Sequence, residues 1–285
     1  ANEYTEKQKS QFKANGTVLF EGAIIKGVFE CYEGLFNAPE RLALSLAGSR
    51  IEGYISLINS DVIGTVRLNC ARIGAHLDLS GSRLSSNFGP TLNADNIQVG
   101  GNITGIDFKS AGSISLLDAQ IKGILNWQQG TEICYKDGVA LKADRIQSRG
   151  IYLRDGFKTD GEISILGAII DGSLICTNGQ FFDISAENVS VKGNVHLDQL
   201  SNSDNYFQSV GKVSLHNADI DGSLICTGGS FVDLSAPNMV VRGDVKLNGD
   251  ATSSLSLDQV AAKTLLEKKR LMACKRQPFS FRFHL

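Results

Sequence analysis

A glycine-spaced pattern of 11 residues constrains this sequence more than any other feature. In "GEISILGAIIDG", Gly161 and Gly172 are 11 positions apart, and the order between them is G-x-φ-x-φ-x-x-A-x-φ-x, where φ is apolar. The same unit begins at four other glycines: Gly16, Gly53, Gly112 and Gly211. Since a fixed period is the mark of a repeat architecture, the chain is expected to be a repeat protein.

A longer period lies on top of the 11-residue unit. The motif A-x-x-φ-x-φ-x-G begins at Ala94, Ala143, Ala186 and Ala236, so its copies start 49, 43 and 50 residues apart. The block "IDGSLICT" likewise occurs twice, 50 residues apart. Three insertions share one phase of this period, and we expect them to leave the structure at one edge: "EGLFNAPERLA", "LSSNFGP" and "QQGTEICYKDGVA". A fourth, "NSDNYFQ", has a different phase.

The spacing of the apolar residues predicts the fold. Apolar residues two apart have the period of a β-strand, and each strand is short before the next turn. The turns lack the Asn-Gly and Asp-Gly pairs that favour hairpins, so coiling with parallel pairing is the better solution. We predict an all-β fold, a right-handed parallel β-helix with four sides and coils of about 22 residues. Residues 16–250 then form the repeat domain, with roughly ten to eleven coils.

Both ends of such a solenoid need covering because an open coil exposes unpaired backbone groups. Residues 1–15 are predicted to form an N-terminal cap with a short helix that begins after Thr5. Residues 251–285 are predicted to form a C-terminal helix, from about 257 to 275, and a tail. "SLDQ" from Ser256 resembles a capping box at the start of that helix.

The repeat resembles those of known families. The small residue two positions before an apolar one is similar to pentapeptide-repeat proteins, and a closer likeness is to bacterial repeat proteins with "GxVxLxGAxIxGxLxCxGAxF" character. That set often carries the label "membrane-associated oxidoreductase". The resemblance covers roughly Gly16 to Gly249 and implies a β-helical fold. The sequence contains no nucleotide fingerprint, metal cluster or flavin motif, so we expect no cofactor.

Charge and hydropathy exclude several classes of protein. The net charge is −2, but residues 251–285 carry +5 and the rest of the chain −7. No apolar run reaches the roughly 18 residues of a membrane helix, and the first residues do not resemble a signal peptide. We expect a bacterial cytoplasmic protein in preference to a secreted one.

The residue types that usually carry chemistry occur without an organised partner. Cys31, Cys176 and Cys226 fall in apolar core positions, and no CxxC pair suggests zinc. His76 and His196 are expected to point outward. Charges of both signs precede the unit glycines and predict a surface ladder of ion pairs: Lys26, Glu52, Lys122, Asp160, Asp171, Lys192, Asp221 and Arg242. We therefore expect no catalytic, cofactor-binding or metal-binding residues.

These observations favour a non-catalytic scaffold or binding protein that acts through a rigid surface and edge loops. Two alternatives stay open: a carbohydrate-active enzyme or adhesin, and a topoisomerase-binding DNA mimic, which would need a continuous acidic stripe. A protein partner is expected, with a homodimer through the C-terminal segment and contact of the basic tail with a membrane as further options, whereas direct binding of nucleic acid is not expected. The candidate partner-binding residues are the aromatics near the insertions: Phe36, Phe88, Trp127, Tyr135, Tyr206 and Phe207.

Overall fold

The computed structural model describes residues 11–136, 138–199, 206–248, 251–256 and 261–267. Every regular element in these residues is a β-strand, and every strand pairing is parallel. The chain coils so that each strand pairs with the strand one coil later, which confirms the predicted parallel β-solenoid. Its handedness stays a prediction.

The strands form four faces, numbered here in the order in which the chain crosses them. Face 1 contains β1 Lys13–Ala14, β11 Arg83–Ser85, β15 Lys109–Ala111, β18 Glu132–Cys134, β21 Lys158–Thr159 and β25 Gln180–Phe181. Face 2 contains β2 Val18–Leu19, β12 Leu92–Asn93, β16 Ile114–Ser115, β19 Val139–Lys142, β22 Glu162–Ser164 and β26 Ile184–Ser185. Five longer strands span both faces: β5 Leu35–Ser45, β8 Asp61–Arg67, β29 Gln208–Ser214, β32 Ser230–Ser235 and β34 Ala251–Ser256.

Faces 3 and 4 complete each coil in the same way. Face 3 contains β3 Ile24–Ile25, β6 Arg50–Ile51, β9 Arg72–Ile73, β13 Gln98–Val99, β23 Ile169–Ile170, β27 Ser190–Val191 and β30 Asp219–Ile220. Face 4 contains β4 Phe29–Glu30, β7 Ile55–Ser56, β10 Leu77–Asp78, β14 Ile103–Ile106, β24 Leu174–Ile175, β28 Val195–His196 and β31 Leu224–Thr227. Four longer strands span both faces: β17 Gln120–Gln128, β20 Gln147–Arg154, β33 Val240–Asn248 and β35 Ala261–Glu267.

Short and long coils alternate along the solenoid. Each coil starts where its face 1 strand begins, so the first nine coils start at residues 13, 35, 61, 83, 109, 132, 158, 180 and 208. Coils 1, 3, 5 and 7 have 22 or 23 residues, whereas coils 2, 4, 6 and 8 have 26 to 28. The 50-residue period of the sequence is therefore a pair of coils.

The corner between faces 2 and 3 shows why the pair repeats. Two buried side chains flank each turn there, and from coil 3 onward their sizes alternate. Leu116 precedes Ala119 in coil 5, but Ala143 precedes Ile146 in coil 6. The same alternation holds in the other coils: Leu68 with Ala71, Ala94 with Ile97, Ile165 with Ala168, Ala186 with Val189, Leu215 with Ala218, and Ala236 with Met239. Large side chains then stack beside small ones, which fills the core without voids.

The corner between faces 3 and 4 explains the spacing of the unit glycines. There each coil approaches the previous one closely enough for a backbone bond; for example, the Gly123 amide donates to the Gly101 carbonyl at 3.0 Å. A Cβ at Gly123 would lie 2.7 Å from that carbonyl oxygen. In coil 3, where Ala75 takes this position, the preceding Gly74 makes the close approach instead. We call this column the glycine ladder, and its glycines serve packing.

Aromatic rings fill the corner between faces 4 and 1. Phe157, Phe181, Phe207 and Phe231 stack in successive coils with centroids 5.5, 5.3 and 4.9 Å apart. Small residues make room for these rings. A Cβ at Gly179 would lie 2.5 Å from the Phe181 ring, and one at Gly229 would lie 2.8 Å from the Phe231 ring.

This packing explains the duplicated block. In "LICTNGQF" and "LICTGGSF", the cysteine and the glycine are the small residues beside the phenyl ring. Cys176 and Cys226 lie two coils apart, because β24 pairs with β28 and β28 pairs with β31. The block is repeated because the same packing recurs in coils 7 and 9.

The two ends differ from the prediction where the structure describes them. Lys13–Ala14, at the end of the predicted N-terminal cap, is strand and pairs with β5. Of the predicted C-terminal helix, residues 261–267 form β35, which pairs with β33 and takes up that strand's free backbone groups. A helix at 261–267 is therefore wrong. The remaining cap residues lie outside the described residues.

Candidate functional site

The six predicted partner-binding aromatics divide into two groups. Phe88, Tyr135 and Tyr206 are exposed, with relative exposures of 64, 38 and 41%. Phe36, Trp127 and Phe207 are buried, and the prediction that they lie on the surface is wrong. Each of the three packs against another ring: Phe36 against Phe12, Trp127 against Phe108, and Phe207 within the phenylalanine stack. Neighbouring loops suggested exposure, but these rings point inward from the strands.

The three insertions leave the solenoid at one corner, as predicted. Residues 37–41 form a register shift within β5, residues 86–91 connect β11 with β12, and residues 135–138 connect β18 with β19. All three lie between faces 1 and 2, in coils 2, 4 and 6. Strand spacing of about 4.8 Å places them about 10 Å apart along the axis. The fourth insertion lies between faces 4 and 1, mostly outside the described residues.

The same corner carries a row of exposed apolar side chains. Where a coil has no loop, the corner residue itself is often apolar and turned outward. We call this row the apolar corner, and its members have relative exposures of 37 to 64%: Ile63, Phe88, Tyr135, Phe182, Val210 and Val232. A contiguous exposed apolar surface marks an interaction site more often than scattered apolar residues do. Sequence reasoning missed Ile63, Phe182, Val210 and Val232 because each differs from a core position by a single step along a strand.

The cysteines occupy two kinds of environment. Cys176 and Cys226 are buried, and burial raises the pKa of both thiols, with a smaller effect of Asp198. Burial also raises the pKa of Cys31. Cys70 and Cys134 are exposed. The core cysteines act as small apolar residues, because a thiol without thiolate character is a poor nucleophile and metal ligand.

Alkylation of the native protein is expected to separate these two groups. In a Cys274→Ser background, Cys70 and Cys134 should react with a thiol reagent at pH 8 within minutes. Cys176 and Cys226 should react only after denaturation, because their sulfurs are enclosed and protonated. Mass spectrometry of digested samples identifies the modified positions. Modification of Cys176 under native conditions would contradict the packing described for the duplicated block.

One histidine has an organised partner that sequence reasoning missed. His196 Nδ1 lies 3.2 Å from Asp198 Oδ2, and Asp198 Oδ1 accepts a 2.6 Å hydrogen bond from Thr177 Oγ1. Among the described residues, the His196 ring bonds to no hydroxyl or thiol. The pair therefore lacks a nucleophile to activate within the described chain. His76 is exposed, and its Nδ1 accepts the Asn102 amide at 3.0 Å.

Face 3 carries a charge pattern that only the fold reveals. In the last coils its charges pair as predicted: Lys192 with Asp171 at 2.6 Å, and Arg242 with Asp219 and Asp221. In the first six coils, five cations surround one carboxylate, Glu52, and only Arg50 lies near it, at 3.9 Å. We call this part of face 3, coils 1–6, the basic stripe. The sequence hid it because its members are about 22 to 50 residues apart.

The described residues contain no helix able to cross a membrane, and no group of three or more His, Cys, Asp and Glu side chains suited to a metal ion. No protein-family model matches the chain, and no curated protein and no solved structure matches it. The apolar corner and the basic stripe therefore rest on their own geometry as candidate functional surfaces.

Proposed function

We propose that this protein is a non-catalytic scaffold that binds a protein partner through its apolar corner. The observation that carries the proposal is the alignment of six exposed apolar side chains with three loops along one edge of a rigid solenoid. Backbone pairing through every coil holds the spacing of these side chains, so little order has to be gained on binding. Aromatic anchors such as Phe88 and Tyr135 are typical of the centre of protein interfaces.

The surrounding charges suit a protein partner as well. The loops next to the anchors carry Glu40, Arg41 and Lys136, all exposed, so polar groups of both signs border the apolar row. An apolar centre with a polar border is the usual anatomy of a protein interface. A shape of this kind is read by its surface and requires no bond chemistry.

The kinship of the chain is part of the same proposal. The four-sided parallel solenoid supports the resemblance to pentapeptide-repeat-like bacterial repeat proteins, and with it a bacterial cytoplasmic scaffold. A homodimer through the C-terminal segment and contact of the basic tail with a membrane concern residues outside the described part of the chain.

A capture experiment with matched variants tests the apolar corner. Tagged wild-type protein, the double variant Phe88→Ser/Tyr135→Ser and the control Ile169→Ser/Val240→Ser are each incubated with extract of the source cells. The control removes apolar side chains of 47 and 38% exposure from face 3. Quantitative mass spectrometry should show at least one protein enriched by wild type and control and reduced about tenfold with the corner variant, since hot-spot losses reach 2 kcal/mol or more.

The same experiment can reject the proposal. Thermal unfolding of the three proteins shows that the substitutions leave the fold intact. If wild type and the corner variant enrich the same proteins to the same extent, the apolar corner is not the binding surface. Equal losses with both double variants would point to general stickiness and would also reject it.

A further inference from the structure

Face 3 presents a flat surface of two exposed columns. In each coil, two exposed residues flank one that points toward the core. The column nearer face 2 contains Ile24, Arg50, Arg72, Gln98, Gln120, Gln147, Ile169, Ser190, Asp219 and Val240. The column nearer face 4 contains Lys26, Glu52, Gly74, Gly100, Lys122, Arg149, Asp171, Lys192, Asp221 and Arg242. This face is separate from the apolar corner, which joins faces 1 and 2.

Hydrogen-bond donors dominate the first six coils of this face. Strand pairing stacks Arg50, Arg72, Gln98, Gln120 and Gln147 directly above one another. Their spacing is the coil spacing of about 4.8 Å. The donors therefore form a regular row parallel to the solenoid axis.

The basic stripe has uncompensated charge. Its five cations and one carboxylate give a net charge of +4, on a chain whose first 250 residues carry −7. Among the described residues, Lys26, Arg72, Lys122 and Arg149 have no ion-pair partner. The cations of the later coils are paired, which shows that the face can neutralise its charges where the sequence supplies carboxylates.

A depression of about 540 Å³ lies in the middle of the basic stripe. Gly74 and Gly100 form its floor because they lack the side chains that Glu52 and Lys122 carry at the equivalent positions. Backbone is thus exposed at the base, and long donor side chains stand around it. Such a shape suits a narrow chain of sugar rings that lies along the axis.

We propose that the basic stripe binds an acidic polysaccharide. Guanidinium groups of Arg50 and Arg72 form two parallel hydrogen bonds to a uronate carboxylate, and glutamine amides bond to hydroxyl groups as donor and acceptor. Nucleic acid is a poorer fit. The exposed columns of face 3 hold no aromatic side chain on which a base could stack, and a flat sheet face presents no helix or ribbon to a groove.

Affinity electrophoresis with polygalacturonate as probe tests the proposal on the full-length chain. Migration of the wild-type protein should be retarded by the polymer at low salt, and less so as salt is added. The variant Arg72→Gln/Lys122→Gln should bind about tenfold or more weakly, because charged hydrogen bonds contribute most of the contact. The control Lys192→Gln/Arg242→Gln removes the same charge from the same face and should bind as wild type does, since both cations already have partners.

Each other outcome overturns the proposal. An unretarded wild type means that the stripe does not bind a uronate polymer. Equal weakening in both double variants means that net charge, and not the stripe, is responsible. Retardation of a duplex DNA probe with the same dependence on Arg72 and Lys122, at equal or greater affinity, would assign the surface to nucleic acid. Circular dichroism of every variant verifies that the β-structure is intact.

Discussion

Replacing Gly123 with alanine is expected to lower the free energy of unfolding by about 3 kcal/mol, at the upper end of the usual cost of overpacking. The new Cβ would lie 2.7 Å from the Gly101 carbonyl oxygen, which belongs to the backbone of the previous coil and cannot rotate away. It would also displace the Asn102 side chain, whose Oδ1 accepts the Ile124 amide at 3.0 Å. Coils 4 and 5 therefore have to separate locally, which weakens several backbone bonds.

A matched control exists at the same corner. Gly27 occupies the equivalent position in coil 1, and a Cβ there would meet no atom within 4 Å. Gly27→Ala should change the free energy of unfolding by less than about 1 kcal/mol, or raise it slightly through the lower entropy of the unfolded chain. Denaturation followed by circular dichroism and by the fluorescence of Trp127, the single tryptophan, measures both variants. Equal losses at Gly123 and Gly27 would contradict a packing role for the glycine ladder.

Phe181→Ala is expected to cost about 3–5 kcal/mol, the usual range for removing a buried aromatic ring. Phe181 is 2% exposed and lies between Phe157 and Phe207 in the phenylalanine stack. Its loss leaves a cavity next to Cys176 and Gly179, two small residues that cannot fill it. The stack should therefore lose its contacts on both sides of coil 8.

The adjacent residue provides the control for that substitution. Phe182 follows Phe181 in the chain, is 43% exposed and points away from the core. Phe182→Ala should change the free energy of unfolding by less than about 0.5 kcal/mol, as is usual for surface positions. Urea denaturation of both variants, followed by circular dichroism, gives the comparison. Similar midpoints would show that the ring of Phe181 is not a core residue.

Much of the fold was predictable because the repeat is written in local spacing. Apolar residues two apart specify short strands, and the alternation of 11-residue units with insertions specifies coils of two lengths. The common phase of the three insertions correctly predicted a single corner for the loops. The helix predicted for residues 257–275 shows where local spacing is insufficient. "AAKTLLE" suits a helix by periodicity, but at residues 261–267 the free edge of β33 offers a complete set of backbone partners.

The candidate surfaces were predictable only in part. Phe88 and Tyr135 lie in insertions, and their exposure follows from the loops around them. Phe36 and Phe207 stand as near to insertions in the sequence but begin or flank strands, where the direction of a side chain changes with each residue. A shift of one position therefore exchanges core and surface, as Phe181 and Phe182 demonstrate.

The sequence by itself determined the class of fold, the length of the coils and the core function of "IDGSLICT", because each depends on residues within one or two turns of the chain. Only the tertiary structure decided which side chains form a surface together. Arg50, Arg72 and Gln98 are neighbours on face 3 although 22 and 26 residues separate them in the chain. Parallel stacking brings one residue from each coil into contact, so a surface column samples the sequence at a spacing that varies with every insertion.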